Sequence, residues 1–255
     1  MSLLDRFELC VPLIQAPMAG VSTPLLAASV CEAGALGSIG VGATDAAGAR
    51  TMIEEVRART GRAFNVNLFV HDSPTHDPER EATWLEWLAP LFAEFEAEPP
   101  ATLRTIYKSF AEDPDMLAVL LELAPPIVSF HFGLPSAEIL SALRERGIYL
   151  MATATSLEEA RAIEAAGIDA IVAQGIEAGG HRGMFDPNGS DDALGTFSLT
   201  RLLVRSLSCQ SSRRAASWTV PASLLHSTLV RWRRSSAPPS LRVPSLPLTR
   251  PIAPP

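Results

Sequence analysis

AIVAQGIEAGGHRG, residues 170–183, is the stretch on which the fold assignment depends most. It begins as a short apolar run at 170–173, which is typical of a strand buried on both faces. The run then leads into a glycine-rich segment whose backbone can turn sharply and approach a flat or anionic ligand closely. We therefore expect a strand that ends in a glycine-rich loop.

The segments before this stretch repeat the same order of strand and helix. Apolar runs that predict strands are followed by amphipathic patterns that predict helices. The predicted strands are 13–16, 35–39, 64–70, 127–132, 149–154 and 170–173, and the predicted helices are 23–33, 45–60, 82–96, 137–146, 156–166 and 198–207. Six such units indicate an α/β protein. Periodicity leaves open a doubly wound sheet or an incomplete eightfold barrel, and the lack of a GxGxxG turn after the first strand disfavours a dinucleotide-binding fold.

Composition narrows the function class. The 255 residues are 47% hydrophobic and carry a net charge of −7, which argues against a nucleic-acid-binding protein. We expect no membrane span and a cytoplasmic enzyme, because no apolar run is long enough and no signal-peptide pattern opens the sequence. The cysteines, Cys10, Cys31 and Cys209, lie far apart and predict neither a disulfide framework nor a metal site.

Candidate chemistry concentrates where the sixth strand ends. In parallel barrels the carboxyl ends of the strands carry the active site. His181 lies in the glycine-rich loop and is the candidate catalytic residue, because imidazole exchanges protons near neutral pH. Gln174 offers a donor and an acceptor, and Gly175, Gly179 and Gly180 allow close backbone approach, so these four are candidate cofactor contacts.

A second candidate cofactor contact follows the first strand. PLIQAPMAG, residues 12–20, ends in a tight turn that contains Pro17, Met18 and Ala19. The backbone of such a turn can pack against an aromatic ring system. A plain strand-to-helix turn is the alternative interpretation.

Polar residues near the ends of the third and fourth strands are further candidates. Asn67 lies in an apolar strand, where its amide carries a desolvation cost unless it is paired, and this favours a ligand contact. Asn65 points to the same side, but Asn67 is nearer the carboxyl end. His131 ends the fourth strand and either lines a substrate pocket or is a buried structural histidine.

The long insertion between the third and fourth strands carries one more candidate. Tyr107 is expected at the rim of the pocket, where it would contact substrate. The helix predicted at 82–96 carries Trp84 and Trp87 on its apolar face, and we expect that face to pack on the core. Pro90 is expected to kink or split this helix.

Residues 209–255 differ abruptly from the rest, with no Asp or Glu but seven Arg and eight Pro. Such a composition is typical of a disordered basic linker. A shifted reading frame is the other interpretation. Permitted codons for residues 209–227, read two bases later, spell PVIAAGGIMDGAGIAAAL, and residues 228–255 can give HLGAVAAQLGTAFVACPESSADAAYRAA.

These shifted strings contain an apolar strand, a Gly-Gly turn, a helix, a second strand and a Gly-Thr turn, which together are two further strand–helix units. We therefore predict a truncated barrel domain at 1–208 and an aberrant, disordered tail at 209–255. A single-base deletion near Ser208 is the hypothesis that explains both the truncation of the domain and the aberrant tail.

Four motifs together resemble the nitronate monooxygenase family, formerly called 2-nitropropane dioxygenases. They are PLIQAPMAG at 12–20, NVNLF at 65–69, SFHFG at 129–133 and AQGIEAGGHRG at 173–183. The resemblance covers residues 8 to about 207, and AAGGI and QLGTAF of the shifted frame look like the two remaining signatures. It implies a (β/α)8 TIM barrel, incomplete as encoded, with about six βα units.

The resemblance also implies a cofactor and a reaction. Non-covalent FMN would contact Asn67, Gln174 and Gly179, with the turn at 17–20 near the isoalloxazine ring. His181 would be the base, or the group that stabilises a bound nitronate. The reaction would oxidise alkyl nitronates, such as propionate 3-nitronate, with O2 to a carbonyl compound and nitrite, and the cofactor rather than a metal would supply the redox chemistry. A homodimer is left open.

Two other interpretations stay open. One is an FMN-dependent NADH:quinone or enoyl-ACP reductase of the same superfamily, which shares the Gly-Gly-His region. The other is an inactive fragment of a frameshifted gene. In the family the loops after strands seven and eight hold the flavin phosphate, and residues 209–255 as written contain neither loop. We expect this literal chain to bind FMN poorly and to fold badly, because strand edges stay open.

Overall fold

Parallel strands in chain order form the frame of the molecule. The structure is a computed structural model and describes residues 3–207, 216–218 and 227–228. The strands are β1 Leu13–Ile14, β2 Gly37–Gly40, β3 Phe64–Phe69, β4 Ile127–His131, β5 Tyr149–Ala154, β6 Ala170–Gln174, β7 Ala216–Trp218 and β8 Ser227–Thr228. The α-helices are α1 Leu3–Arg6, α2 Pro24–Glu32, α3 Ala46–Arg59, α4 Pro78–Glu94, α5 Pro114–Leu123, α6 Ala137–Glu145, α7 Leu157–Ala165 and α8 Thr196–Ser206, and a 3-10 helix spans Phe110–Glu112.

The order of the strands is that of a barrel wall. Strands β2 to β7 are neighbours in chain order and every pair is parallel. A parallel bridge between Ile14 and Leu36 joins β1 to the start of this sheet, and β8 pairs antiparallel with β1. A doubly wound sheet would reverse its strand order, and this sheet does not. The predicted α/β fold, an incomplete TIM barrel with six βα units, is confirmed.

The core has two layers, because successive side chains of a strand point to opposite faces. One face packs under the helices, where its residues Val66 and Leu150 meet helix residues such as Leu120 of α5 in one buried cluster. The other face fills the barrel interior with Ile127 and Met151, among others. Leu3, Leu4, Phe7 and Leu9 pack against the amino-terminal end of this interior and close it.

Local side-chain caps define where the helices begin. Thr23 caps α2, Asp45 caps α3 and Ser156 caps α7, and each side chain accepts a hydrogen bond from a backbone N–H in the first turn. Glu159 lies three residues after Ser156, but its carboxylate accepts from the N–H of Thr155 rather than from that of the cap. The chain therefore enters α7 through a variant of the capping box.

The insertion after β3 differs from the sequence prediction. Helix α4 runs unbroken through Pro90, and none of its residues is buried. Trp84 and Trp87 are 51% and 69% exposed and stack on each other with ring centroids 4.9 Å apart. The expected packing of this face on the core is therefore wrong. Helix α5, which we did not predict, packs against α3 instead and completes the third βα unit.

The predicted tail is only partly covered by the structure. Of residues 209–255, the short strands β7 and β8 are described. The other residues of the tail lie outside the described residues, so its disorder stays a prediction. Within the described part of the chain, no helix combines the length and the apolar character needed to cross a bilayer.

Gly37 in β2 gives a test of how closely the wall packs on its helices. A Cβ atom on Gly37 would lie 2.0 Å from the carbonyl oxygen of Ala27 in α2. We expect Gly37→Ala to lower the free energy of unfolding by about 2–4 kcal/mol, because backbone must move. Gly61→Ala is the control, since nothing lies within 4 Å of its Cβ position. Equal stability of the two variants in denaturant unfolding would contradict this packing.

Candidate active site

The carboxyl ends of four neighbouring strands meet in one place. Phe69 of β3, His131 of β4 and Gln174 of β6 end or nearly end their strands, and Thr153 lies near the end of β5. The strand registers and the contacts below turn these four side chains to the barrel interior. We call this end the mouth and define it by these four residues. It is the end at which barrels of this type carry their active sites.

Gln174 ties down the glycine-rich loop, residues 175–183. Its Nε2 donates to the carbonyl of His181 over 2.9 Å, and its Oε1 accepts from the N–H of Gly183 over 2.7 Å. Only one orientation of the amide satisfies both bonds. The predicted cofactor contact at Gln174 is untested, but the structure gives this side chain a role that the sequence did not predict, which is to hold the loop.

An ion pair holds the end of the loop from the other side. Arg182 donates from Nε and Nη2 to both carboxylate oxygens of Asp191, over 2.8 and 2.7 Å, and from Nη1 to the carbonyl of Gln174 over 2.7 Å. The guanidinium of Arg182, helped by the N–H of Ala193, lowers the pKa of Asp191 to about 2. Arg182 is therefore committed to the loop and is not a spare cation for a ligand.

Glu177 fixes the middle of the loop against α8. Its carboxylate accepts from the backbone N–H of Thr196 over 2.9 Å and from the hydroxyl of Thr196 over 3.0 Å, so it caps a helix whose own N-cap, Gly195, has no side chain. Burial acts to raise the pKa of Glu177, but the backbone N–H of Glu177, the bonds from Thr196 and the charge of Arg182 together lower it. A Cβ on Gly175 would lie 2.2 Å from the N atom of Thr196. This contact, rather than a ligand, suffices to explain glycine at 175.

His181 stands free at the centre of an aromatic cluster. Its side chain is exposed, and its ring nitrogens have no hydrogen-bond partner among the described residues. The ring centroids of Phe132, Phe69 and Tyr107 lie 5.7, 6.0 and 6.4 Å from that of His181. An imidazole in this setting can exchange a proton with a molecule bound between it and the rings.

Phe132 takes part in this cluster through an uncommon backbone conformation. Its φ is 72°, and Gly133 beside it has a φ of 156°. A left-handed conformation is a genuine outlier for a bulky residue and costs roughly 1–2 kcal/mol. The turn places the Phe132 ring 4.4 Å from that of His131 and 5.1 Å from that of Phe69, measured between centroids. Strain of this kind clusters at functional sites.

A ladder of polar side chains runs down the interior below the mouth. Asn67 donates from Nδ2 to the Ser129 hydroxyl over 2.9 Å, and Asn65 donates from Nδ2 to the same hydroxyl over 3.0 Å. The Oδ1 atom of Asn65 is buried with no hydrogen-bond partner. That of Asn67 also has none among the described residues. Asn67 lies nearer the mouth, as predicted, and its carbonyl is available to a ligand.

The turn at Pro17, Met18 and Ala19 is rigid and lies beside this ladder. Gln15 and Ser22 hold it, since the Ser22 hydroxyl donates to Ala16 O over 2.8 Å and accepts from the N–H of Met18 over 2.8 Å. A Cβ on Gly40 would lie 3.5 Å from the N atom of Ala19, and Gly40 pairs with Asn67. The structure thus brings the turn and Asn67 to one side of the mouth.

The loop also offers donors to a ligand. In the described part of the chain, the backbone N–H groups of Gly179, Gly180 and His181 meet no hydrogen-bond acceptor. Space beside Gly180 is open, with nothing within 4 Å of its Cβ position. Successive free N–H groups of this kind bind carbonyl oxygens and anions.

The predicted site residues therefore divide into two groups. One group lies at the mouth, which is surrounded by His181, His131, Gln174 and Tyr107 and bordered by the 17–19 turn and Asn67. The other is Gly175, which is buried under α8. Sequence reasoning missed a set of positioning residues, namely Gln15, Ser22, Thr153, Glu177, Asp191, Phe69 and Phe132. The acidic residue within the AQGIEAGGHRG motif was the one signal that pointed toward Glu177.

Asp191 gives a pH-dependent test of the loop anchor. The Asp191 pKa is lowered from about 4 in the unfolded chain to about 2, so its contribution is full above pH 4 and is lost as pH falls toward 2. Because the pair is partly exposed, Asp191→Asn should cost about 1 kcal/mol at pH 7 and nothing near pH 2. Thermal unfolding of both proteins from pH 2 to 7 measures this, with Asp192→Asn as control. A constant difference across that range would contradict the assignment.

Comparison with known proteins identifies the family of the chain. The nitronate monooxygenase family profile matches residues 2–210. A nitronate monooxygenase of Paraburkholderia phytofirmans is 60% identical over 204 residues, which is 80% of this chain and 56% of that protein. One from Pseudomonas aeruginosa is 57% identical over 203 residues, which is 78% of this chain and 58% of that protein.

A solved structure agrees as well. Nitroalkane oxidase from Streptomyces ansochromogenes superposes with a TM-score of 0.74 at 39% identity, over 85% of this chain and 60% of that one. The chain thus spans little more than half the length of the curated relatives it matches. From the profile match and these identities, the chain belongs to the nitronate monooxygenase family.

Proposed function

We propose that this chain carries the site of an FMN-dependent enzyme that oxidises alkyl nitronates with O2 to a carbonyl compound and nitrite. We propose propionate 3-nitronate as an example of its substrates. One observation carries the proposal, which is the imidazole of His181 held above the mouth by the glycine-rich loop. Among the described residues, neither this ring nor the backbone N–H groups of residues 179–181 have a hydrogen-bond partner.

The residues at the mouth fit a flavin. A flavin ring is flat and its edge carries both hydrogen-bond donors and acceptors. The side-chain oxygen of Asn67, which has no partner within the described ranges, can meet a donor, and the N–H groups of Gly179 and Gly180 can meet acceptors. The Pro17–Met18–Ala19 turn offers a rigid backbone surface. The side-chain amide of Gln174 would contribute the hydrogen-bond donor and acceptor positions that its two bonds to the loop leave unused. When bound, FMN would accept electrons from the nitronate and pass them to oxygen.

His181 would handle the substrate's charge or its proton. A nitronate is an anion, so a protonated imidazole at this position would attract it. A neutral imidazole would instead remove the α-proton of a nitroalkane to form the nitronate. Both roles need a ring without a protein partner, and His181 has none among the described residues.

The aromatic rings would receive the rest of the substrate. A molecule bound at His181 has Phe69, Phe132 and Tyr107 within a few ångströms. These rings would bury an alkyl chain and exclude water from the imidazole. Tyr107, which sits on the insertion between β3 and β4, therefore keeps its proposed place in the substrate pocket.

The proposal includes the reading-frame hypothesis for residues 209–255. One permitted choice of codons for this segment, read two bases later, encodes two further strand–helix units. Loops after such strands are where barrels commonly hold a phosphate group. The proposed phosphate site of FMN would therefore come from the shifted frame rather than from the literal tail.

Flavin content distinguishes the two frames. We expect the 255-residue chain to purify with little FMN, and a frame-corrected chain to purify with about one FMN per protein, because only the latter has phosphate-binding loops. Absorbance near 450 nm against protein concentration measures this, together with a DNA read across codons 200–215. Stoichiometric yellow protein from the literal chain, or an intact frame in the gene, would overturn the frame hypothesis.

Replacement of His181 tests the reaction. In the flavin-loaded protein, His181→Asn should lower kcat/KM for nitronate-dependent O2 uptake by about 10²–10⁴-fold, because the group that handles charge and proton is lost. His76→Asn is the matched control, since His76 is an exposed imidazole that pairs with Glu81 at the surface.

Competing activities serve as further outcomes of this test. Oxidation of NADH with a quinone or enoyl substrate, without nitronate turnover, would favour a reductase of the same superfamily. Undiminished nitronate oxidation in His181→Asn would refute the role of this residue. No turnover of any of these substrates by flavin-loaded protein would contradict the proposed function as a whole.

A further inference from the structure

Two side chains converge on the backbone carbonyl of His181. Gln174 donates to it from Nε2 over 2.9 Å, and the Nε2 atom of His131 lies 3.4 Å from the same oxygen. A carbonyl oxygen has two lone pairs and accepts two donors. The peptide that carries the candidate catalytic imidazole is thereby held from two strands, β4 and β6.

The second contact determines which nitrogen of His131 carries hydrogen. A carbonyl only accepts, so Nε2 must be the N–H of the ring. In a neutral imidazole the other nitrogen, Nδ1, is then an acceptor, and the Thr153 hydroxyl lies 3.0 Å from it. Thr153 is buried and can donate its hydrogen there. Desolvation by burial lowers the pKa of His131 to about 4, which agrees with a neutral ring.

The glycine-rich loop packs closely on the His131 ring, which is partly exposed. A Cβ on Gly183, in the glycine-rich loop, would lie 2.5 Å from Cε1 of His131. The Phe132 ring covers another side with its centroid 4.4 Å away. The titratable groups that face His131 are the imidazole of His181 from the loop and, beyond Phe132, that of His71. The ring thus lies beneath the loop with both nitrogens occupied by protein.

We propose that His131 is a positioning residue, held by Thr153 in its Nε2–H tautomer, that fixes the His181 peptide and neither binds substrate nor transfers a proton. This inference rests on the proposed function at His181 and replaces the sequence expectation that His131 contacts substrate. One chain of hydrogen bonds runs from the Thr153 hydroxyl through the His131 ring to the carbonyl of His181. Gln174 donates to the same carbonyl.

Matched substitutions separate positioning from substrate binding. The amide nitrogen of His131→Gln reaches the place of Nε2 and can still donate to the carbonyl, whereas that of His131→Asn is too short. Thr153→Val removes the hydroxyl and keeps the shape, and Thr153→Ser keeps the hydroxyl. In flavin-loaded protein we expect kcat to fall about tenfold or more in His131→Asn with little change in KM, and to stay within about threefold in His131→Gln.

Structural readouts test the inference without turnover. Long-range 15N–1H NMR of the flavin-loaded protein should show His131 neutral, with hydrogen on Nε2, at pH 6. Hydrogen exchange at the Gly183 amide, which donates to Gln174, should quicken about tenfold in His131→Asn and Thr153→Val but not in His131→Gln or Thr153→Ser. A charged or Nδ1–H His131, or equal exchange in all variants, would overturn the proposal.

The kinetic and structural measurements distinguish failure of this inference from failure of the proposed function. A rise in KM with unchanged kcat in both His131 variants would return this residue to the substrate pocket and overturn the inference while leaving the proposed function intact. Flavin-loaded wild type without nitronate turnover would contradict the proposed function, and the NMR and exchange data would still decide whether His131 holds the loop.

Discussion

The side-chain amide of Gln174 is the contact on which the geometry of the mouth depends. It donates to the carbonyl of His181 and accepts from the N–H of Gly183, so it closes the glycine-rich loop back onto the strand that precedes it. Glycine loses more conformational entropy than other residues when it is ordered, so a loop of this composition needs external restraint. The amide supplies that restraint at the point where the imidazole leaves the backbone.

Two further restraints are carboxylates that accept hydrogen bonds, and each acts on a different part of the loop. Glu177 connects the middle of the loop to the start of α8, and Asp191 holds Arg182 near the end. These contacts pair the charged side chains of the loop, Glu177 and Arg182, with groups of the protein. The exposed loop surface therefore presents mainly backbone N–H groups and His181. A site of this composition favours a planar or anionic partner over a cationic one.

Sequence reasoning located the strand frame and the candidate catalytic residue for physical reasons. Buried parallel strands appear as apolar runs, and a histidine within paired glycines at a strand end has few structural explanations. The strand ladder could be anticipated from these patterns, as could the place of His181. Helix α4 shows the limit, since periodicity identified an apolar face but carried no information about what covers it, and Trp84 and Trp87 remain half or more exposed. Likewise Glu177 and Thr196 are 19 residues apart, and no local pattern pairs them.

Phe132 connects the conformation of the turn after β4 with that of the glycine-rich loop. Its left-handed backbone costs roughly 1–2 kcal/mol, whereas glycine there would avoid that strain. Aromatic pairs contribute about 0.5–1.5 kcal/mol each beyond burial, so contacts with Phe69, His131 and His181 together can offset the strain. The His181 contact exists only when the loop is closed, so the strained turn after β4 and the closed loop stabilise each other. The turn after β4 contacts both imidazoles, and through Phe132 it therefore takes part in placing the candidate catalytic one.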